Sequence, residues 1–102
     1  MKKTIWDKQL NLKEQGFSEH IWKITDCDEV IDELFKENRV ILGGEILKIR
    51  NDEYVYDGSG WYYNGDSCSE SVKKAKEYFA SWLHDDDLAV IFVFKPDKEI
   101  EQ

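Results

Sequence analysis

A chain of 102 residues has room for a single domain, residues 1–102, and its 41% hydrophobic content is enough for one core. Four Trp, five Tyr and five Phe exclude intrinsic disorder, which goes with a shortage of aromatics. Fourteen Lys and Arg against 22 Asp and Glu give a net charge of −8, which repels nucleic-acid phosphates and anionic membranes and either serves solubility alone or also draws in a basic partner.

In chain order, Thr4 to Gln15 carries Ile5, Trp6, Leu10 and Leu12 at ragged spacing and stops at Gly16, which predicts a short helix ended by glycine. Phe17 to Ile24 reads as a turn with a short extended piece. Asp26 and Glu29 then fit an N-cap and its capping-box partner. Val30, Ile31, Leu34 and Phe35 share one helical face, so a helix of about three turns runs to Asn38. At Arg39 the period changes. Val40 to Ile49 reads as a strand carrying a bulge or close backbone approach at Gly43-Gly44. Asn51-Asp52 turns the chain into Glu53 to Tyr56, and Asp57-Gly58-Ser59-Gly60 turns it again into Trp61 to Tyr63. The result is a three-strand meander in which Tyr54 and Tyr56 share a face, as do Trp61 and Tyr63.

Ser67 and Glu70 form a second capping box, opening a long helix to about His84 whose buried stripe is Val72, Ala75, Phe79, Trp82 and Leu83. Leu88 to Phe94 is apolar on both alternating faces, as befits an interior strand, and the tail from Pro96 is polar. The expected fold is therefore α+β: a mostly antiparallel four-stranded sheet, meander plus C-terminal strand, with helices packed on one face. The long helix can act as the crossover that returns the last strand to the middle of the sheet.

The search for catalytic chemistry ends without a constellation. The two histidines, His20 and His84, are far apart in sequence, and His84 already suits a helix C-terminus. His84 to Asp87 lacks metal-ligand spacing, so no metal site is expected, and no motif calls for a cofactor. Cys68, near a helix N-terminus, has no glycine-framed nucleophile turn around it. Gly43-Gly44 and Gly58-Ser59-Gly60 match no phosphate-binding loop. Cys27 and Cys68 read as reduced thiols. The N-terminus shows no signal-length apolar run and Leu88 to Phe94 is too short to span a bilayer, so a cytoplasmic location is expected. What remains is the acidic and aromatic stretch from Glu53 to Asp66. Tyr and Trp are enriched at binding hot spots. The candidate contacts are Glu53, Tyr54, Tyr56, Asp57, Trp61, Tyr63 and Asp66, with Glu45, Asp85, Asp86 and Asp87 as additions. Strand alternation equally allows half of these aromatics to pack beneath a helix.

The run Val40 to Leu47 directly after a helix resembles the immunity protein 40 family of bacterial polymorphic toxin systems. The resemblance continues through Asp57 to Tyr63, a second helix and a closing apolar strand, and covers roughly Gly16 to Phe94. It implies a cytoplasmic α+β protein that neutralises a cognate toxin by complex formation. For a toxin with a basic cleft, carboxylates would stand in for phosphates. An adaptor domain with another protein partner is the alternative, and a small enzyme would need His84 or Cys68.

Overall fold

The computed structural model describes residues 4–16, 19–83, 85 and 87–95. Four strands, β1 (His20–Lys23), β2 (Ile41–Arg50), β3 (Glu53–Tyr62) and β4 (Leu88–Phe94), form one antiparallel sheet in the order β1-β4-β2-β3. Helices α1 (Cys27–Lys36) and α2 (Cys68–Phe79) complete the α+β fold. As expected, the apolar last strand lies inside the sheet, between β1 and β2.

The strands divide differently from the expected meander. Residues 53–62 make one strand: Asp57-Gly58-Ser59 forms a bulge within β3 instead of a turn, and the register moves from Glu45↔Gly60 to Leu47↔Tyr56 across it. Gly58 takes φ +90°, and the Asp57 carboxylate accepts the Ser59 N–H at 2.7 Å, which closes the excursion locally and lets pairing resume. The fourth strand is β1, with Ile21 buried on one face, Trp22 buried on the other, and exposed residues at both ends. Asn51 and Asp52 form the hairpin turn, both at positive φ (53° and 65°), as a two-residue primed turn requires.

The helix ends show where local chemistry prevailed. At α2 the Ser67 hydroxyl accepts the Glu70 N–H at 3.1 Å. The return half of the capping box runs through Tyr63: its hydroxyl accepts from the Ser67 N–H at 3.1 Å and donates to Glu70 Oε1 at 2.7 Å. The Asp26 box does not form. A 3-10 turn over Ile24–Asp26 leads into α1, so the Cys27 N–H already bonds to the Ile24 carbonyl, and Glu29 pairs with Lys8 at 2.7 Å. Asn38 (φ 60°) follows α1 as the stop. Instead of a helix, residues 4–16 hold two 3-10 turns, Ile5–Lys8 and Lys13–Gln15, the second ending at Gly16 (φ 92°). Helix α2 stops at Phe79 and turns follow to Leu83; His84, Phe17 and the tail from Pro96 lie outside the described residues.

Both helices rest on one face of the sheet. Trp22, Ile41, Ile46, Val90 and Phe92 meet Val30, Ile31, Leu34, Ala75 and Phe79 there in one buried cluster. The polar groups inside it are matched. The Trp22 indole N–H donates to the Ile5 carbonyl at 2.6 Å, and the buried Ser71 hydroxyl accepts from the Ile41 N–H at 3.0 Å while donating to the Cys68 carbonyl at 2.8 Å.

Candidate protein-binding site

Strand alternation sends Glu45, Leu47 and Ile49 of β2, Tyr54, Tyr56 and Tyr62 of β3, and Ala89, Ile91 and Val93 of β4 to the face opposite the helices. The N-terminal segment crosses that face as a strap. The Leu10 N–H bonds to the Ile21 carbonyl at 2.8 Å on the β1 side, and Gln15 Oε1 accepts the Tyr54 N–H at 3.0 Å on the far edge. Between these anchors Leu10 and Leu12 pack on Ile21, Leu47, Ala89 and Ile91.

The strap covers the middle of the face and leaves Ile49, toward the hairpin turn, 42% exposed. Beyond the strap Tyr62 is 77% exposed, Val93 50% and Tyr56 49%. Gly43, Glu45 and Gly60 lie beside Tyr62 and Val93 in an open groove of about 410 Å³. Its floor is largely backbone because glycines occupy it. Gly44 has no room for a side chain: a Cβ there would stand 2.8 Å from the Ile91 carbonyl and 3.0 Å from both Phe79 and Trp61.

The groove is electronegative. Among the described residues Glu45 makes no ion pair, whereas α1 pairs Glu29 with Lys8 at 2.7 Å and Asp32 with Lys76 at 2.8 Å. The Tyr56 hydroxyl is held above its ordinary pKa, first by burial and then by the negative charges of Glu19 and Glu45.

The residues singled out in the sequence fall into separate places. Glu45, Tyr54 and Tyr56 share the strap face, Tyr54 half-buried beside the strap, and Glu53 is exposed at the start of β3. Trp61 turns to the helix side, half-buried with its ring 6.2 Å from that of Tyr78 and 6.4 Å from that of Phe79. Its Nε1 is buried without a hydrogen-bond partner among the described residues. Tyr63 is engaged at the α2 cap. The Asp57 side chain is 8% exposed, inside the bulge and 3.7 Å from Lys48. Asp66 is exposed and pairs with Lys95 at 2.9 Å. Asp85 and Asp87 are exposed near the hairpin-turn end, where the Asp87 carbonyl accepts from the Ile49 N–H at 3.2 Å; Asp86 lies outside the described residues. Tyr62 and Val93 were missed. The signal was parity along β3: Trp61 and Tyr63 on the helix side leave Tyr62 facing out, which the turn assigned to Asp57–Gly60 obscured.

The profile of immunity protein 40 matches residues 11–95. The chain belongs to the immunity protein 40 family. That match takes in all four strands, both helices and every residue of the groove. No curated protein matches the chain.

Against this family background the alternative chemical groups have structural partners. Cys68 Sγ donates to the Arg39 carbonyl at 3.1 Å, and a His20 ring nitrogen meets Gln9 Oε1 at 2.7 Å. Cys27 is buried, which pushes its thiol far above the ordinary range. Among the described residues no cluster of His, Cys, Asp and Glu is placed to hold a metal, and no helix is long and apolar enough to cross a membrane.

Proposed function

We propose that this immunity protein 40 member binds and neutralises a cognate toxin of a bacterial polymorphic toxin system in the cytoplasm. It acts by forming a protein–protein complex and not by catalysis. The observation that carries the proposal is the uncovered sheet face, where Tyr62, Tyr56 and Val93 stand in solvent beside Glu45. Exposed aromatic and aliphatic side chains in one patch mark interaction surfaces, and tyrosine is favoured at their energetic centres. Glu45, Glu53 and the net charge of −8 suit a basic partner surface, such as a cleft that handles nucleic acid. In this arrangement Trp61, Tyr63 and Asp57 hold the hairpin from behind, and Tyr62 takes the contact position between Trp61 and Tyr63.

Mixing the protein with the toxin domain encoded by the neighbouring gene tests this. A stable one-to-one complex is expected, and its Kd should rise at least tenfold between roughly 50 and 500 mM salt as screening removes the charge term. A neighbouring gene product that gives no complex at any salt concentration would refute the proposal.

A further inference from the structure

Strand β3 lies at the edge of the sheet, with β2 along one side only. In an antiparallel pair, alternate residues turn their N–H and C=O groups toward the partner strand and away from it. Tyr63 donates to the Leu42 carbonyl at 2.8 Å, one position beyond the Gly43↔Tyr62 pair. Trp61 and Tyr63 therefore bond inward, and Gly60 and Tyr62 direct their backbone groups out of the sheet. Tyr54, outward by the same alternation beyond the bulge, gives its N–H to Gln15 of the strap. The strap and bulge thus close one end of this edge and leave Gly60 to Tyr62 open: among the described residues nothing bonds to their outward groups.

A carboxylate lies over the open stretch. Glu45 stands opposite Gly60, and a Cβ on Gly60 would be only 3.2 Å from Glu45 Cγ, so the Glu45 side chain leans across the glycine. The gap left by the missing side chain is flanked by the exposed Tyr62 ring. A fifth strand would lie ~4.8 Å outside β3, placing its backbone roughly 10 Å from β2. Only a long side chain reaching inward over Gly60 meets Glu45 from there, and an ammonium or guanidinium would also find the Tyr62 ring within reach.

We propose that the β3 edge at Gly60–Tyr62 takes an extended segment of the toxin as a fifth strand, with a Lys or Arg of that segment passing over Gly60 to pair with Glu45 beside the Tyr62 ring. This deepens, and rests on, the toxin-binding function proposed above. The main-chain bonds supply affinity and the basic side chain supplies selectivity. Charge selects this occupant over a second copy, since two chains of net charge −8 would bring Glu45 and Glu53 of each together.

The test is residue-resolved amide hydrogen exchange, free and bound to a catalytically disabled form of the neighbouring toxin domain, together with the Kd of Glu45→Gln and Gly60→Val. Gly60 and Tyr62 amides should exchange rapidly in the free protein and slow at least tenfold in the complex. Glu45→Gln should raise the Kd about tenfold. Gly60→Val, filling the gap, should raise it at least as far while thermal unfolding shows the domain intact. A tight complex that leaves both amides unprotected overturns the edge docking but leaves toxin binding standing. Protected amides with an unaltered Kd for Glu45→Gln overturn the basic side chain's part. Protection that grows with the concentration of the chain alone assigns the edge to a second copy. If no complex forms, both proposals fall.

Discussion

On the helix side of the sheet, Trp22, Ile46, Val90 and Phe92 lie under α1 and α2 with exposures of at most 1%; on the strap side, burial of that kind is reached by Ile21, Leu47, Ala89 and Ile91, while Tyr62, Val93 and Tyr56 stay 77%, 50% and 49% exposed. The difference follows from what covers each side. A helix satisfies its backbone internally and can spend a whole face on burial. The strap has only short 3-10 turns, needs the sheet edges for backbone bonds, and contributes two leucines. One side of the sheet therefore concentrates the burial that holds the fold, and the other combines a modest cover with a surface free for recognition.

Substitutions on the two sides should separate stability from binding. The largest effect is expected at Phe79, fully buried with its ring 5.3 Å from that of Phe92. Phe79→Ala should cost about 3–5 kcal/mol in denaturant unfolding, by lost transfer energy and the cavity left behind. Leu10, the half-buried leucine that the strap lays on the sheet, should cost less, about 1–2 kcal/mol for Leu10→Ala in the same assay. A loss equal to that of Phe79→Ala would erase the distinction between the faces.

The helix side should also impose a pH dependence through Cys27. Burial first, then the charge of Asp28, raises its thiol pKa, with Lys76 opposing. The folded thiol stays protonated where an unfolded one ionises, above about pH 8.5. Its contribution to stability is therefore complete below that pH and lost above it, at up to about 1.4 kcal/mol per pH unit. Unfolding at pH 7.5 and 9.5 should show the wild type losing about 1 kcal/mol more than Cys27→Ala over this interval. Equal losses would contradict the assignment.

Much of this architecture is legible in the sequence where local and global signals agree. The helical period of Val30, Ile31 and Leu34, the Ser67–Glu70 cap and the two-faced apolar run of β4 each have one physical solution, although Phe35, assigned to the same helical face, stands 49% exposed. The glycine pair in β2 also reads correctly as a close approach. Misreadings arise where tertiary pairing decides. Asp57-Gly58-Ser59-Gly60 has the composition of a turn, yet β2 continues past it and holds both flanks in one strand. His20–Lys23 is too short to show a period and becomes a strand only because β4 offers an edge. The candidate site was legible as a region, through its aromatics and carboxylates. Which aromatics face solvent depended on strand parity across the bulge, which favours Tyr62 over Trp61.

The central claim, that the strap side binds the toxin while the helix side holds the fold, is tested most directly by calorimetric titration of two double variants with the neighbouring toxin domain. Tyr62→Ala with Glu45→Gln alters the groove, and Asp28→Ala with Asp32→Ala alters the exposed face of α1. The groove variant should lose about 100-fold or more in affinity, as removal of a hot-spot pair does, while unfolding within about 0.5 kcal/mol of the wild type. The α1 variant should bind within about threefold of the wild type. Wild-type affinity in the groove variant with a large loss in the α1 variant would place the toxin on the helices and contradict the claim.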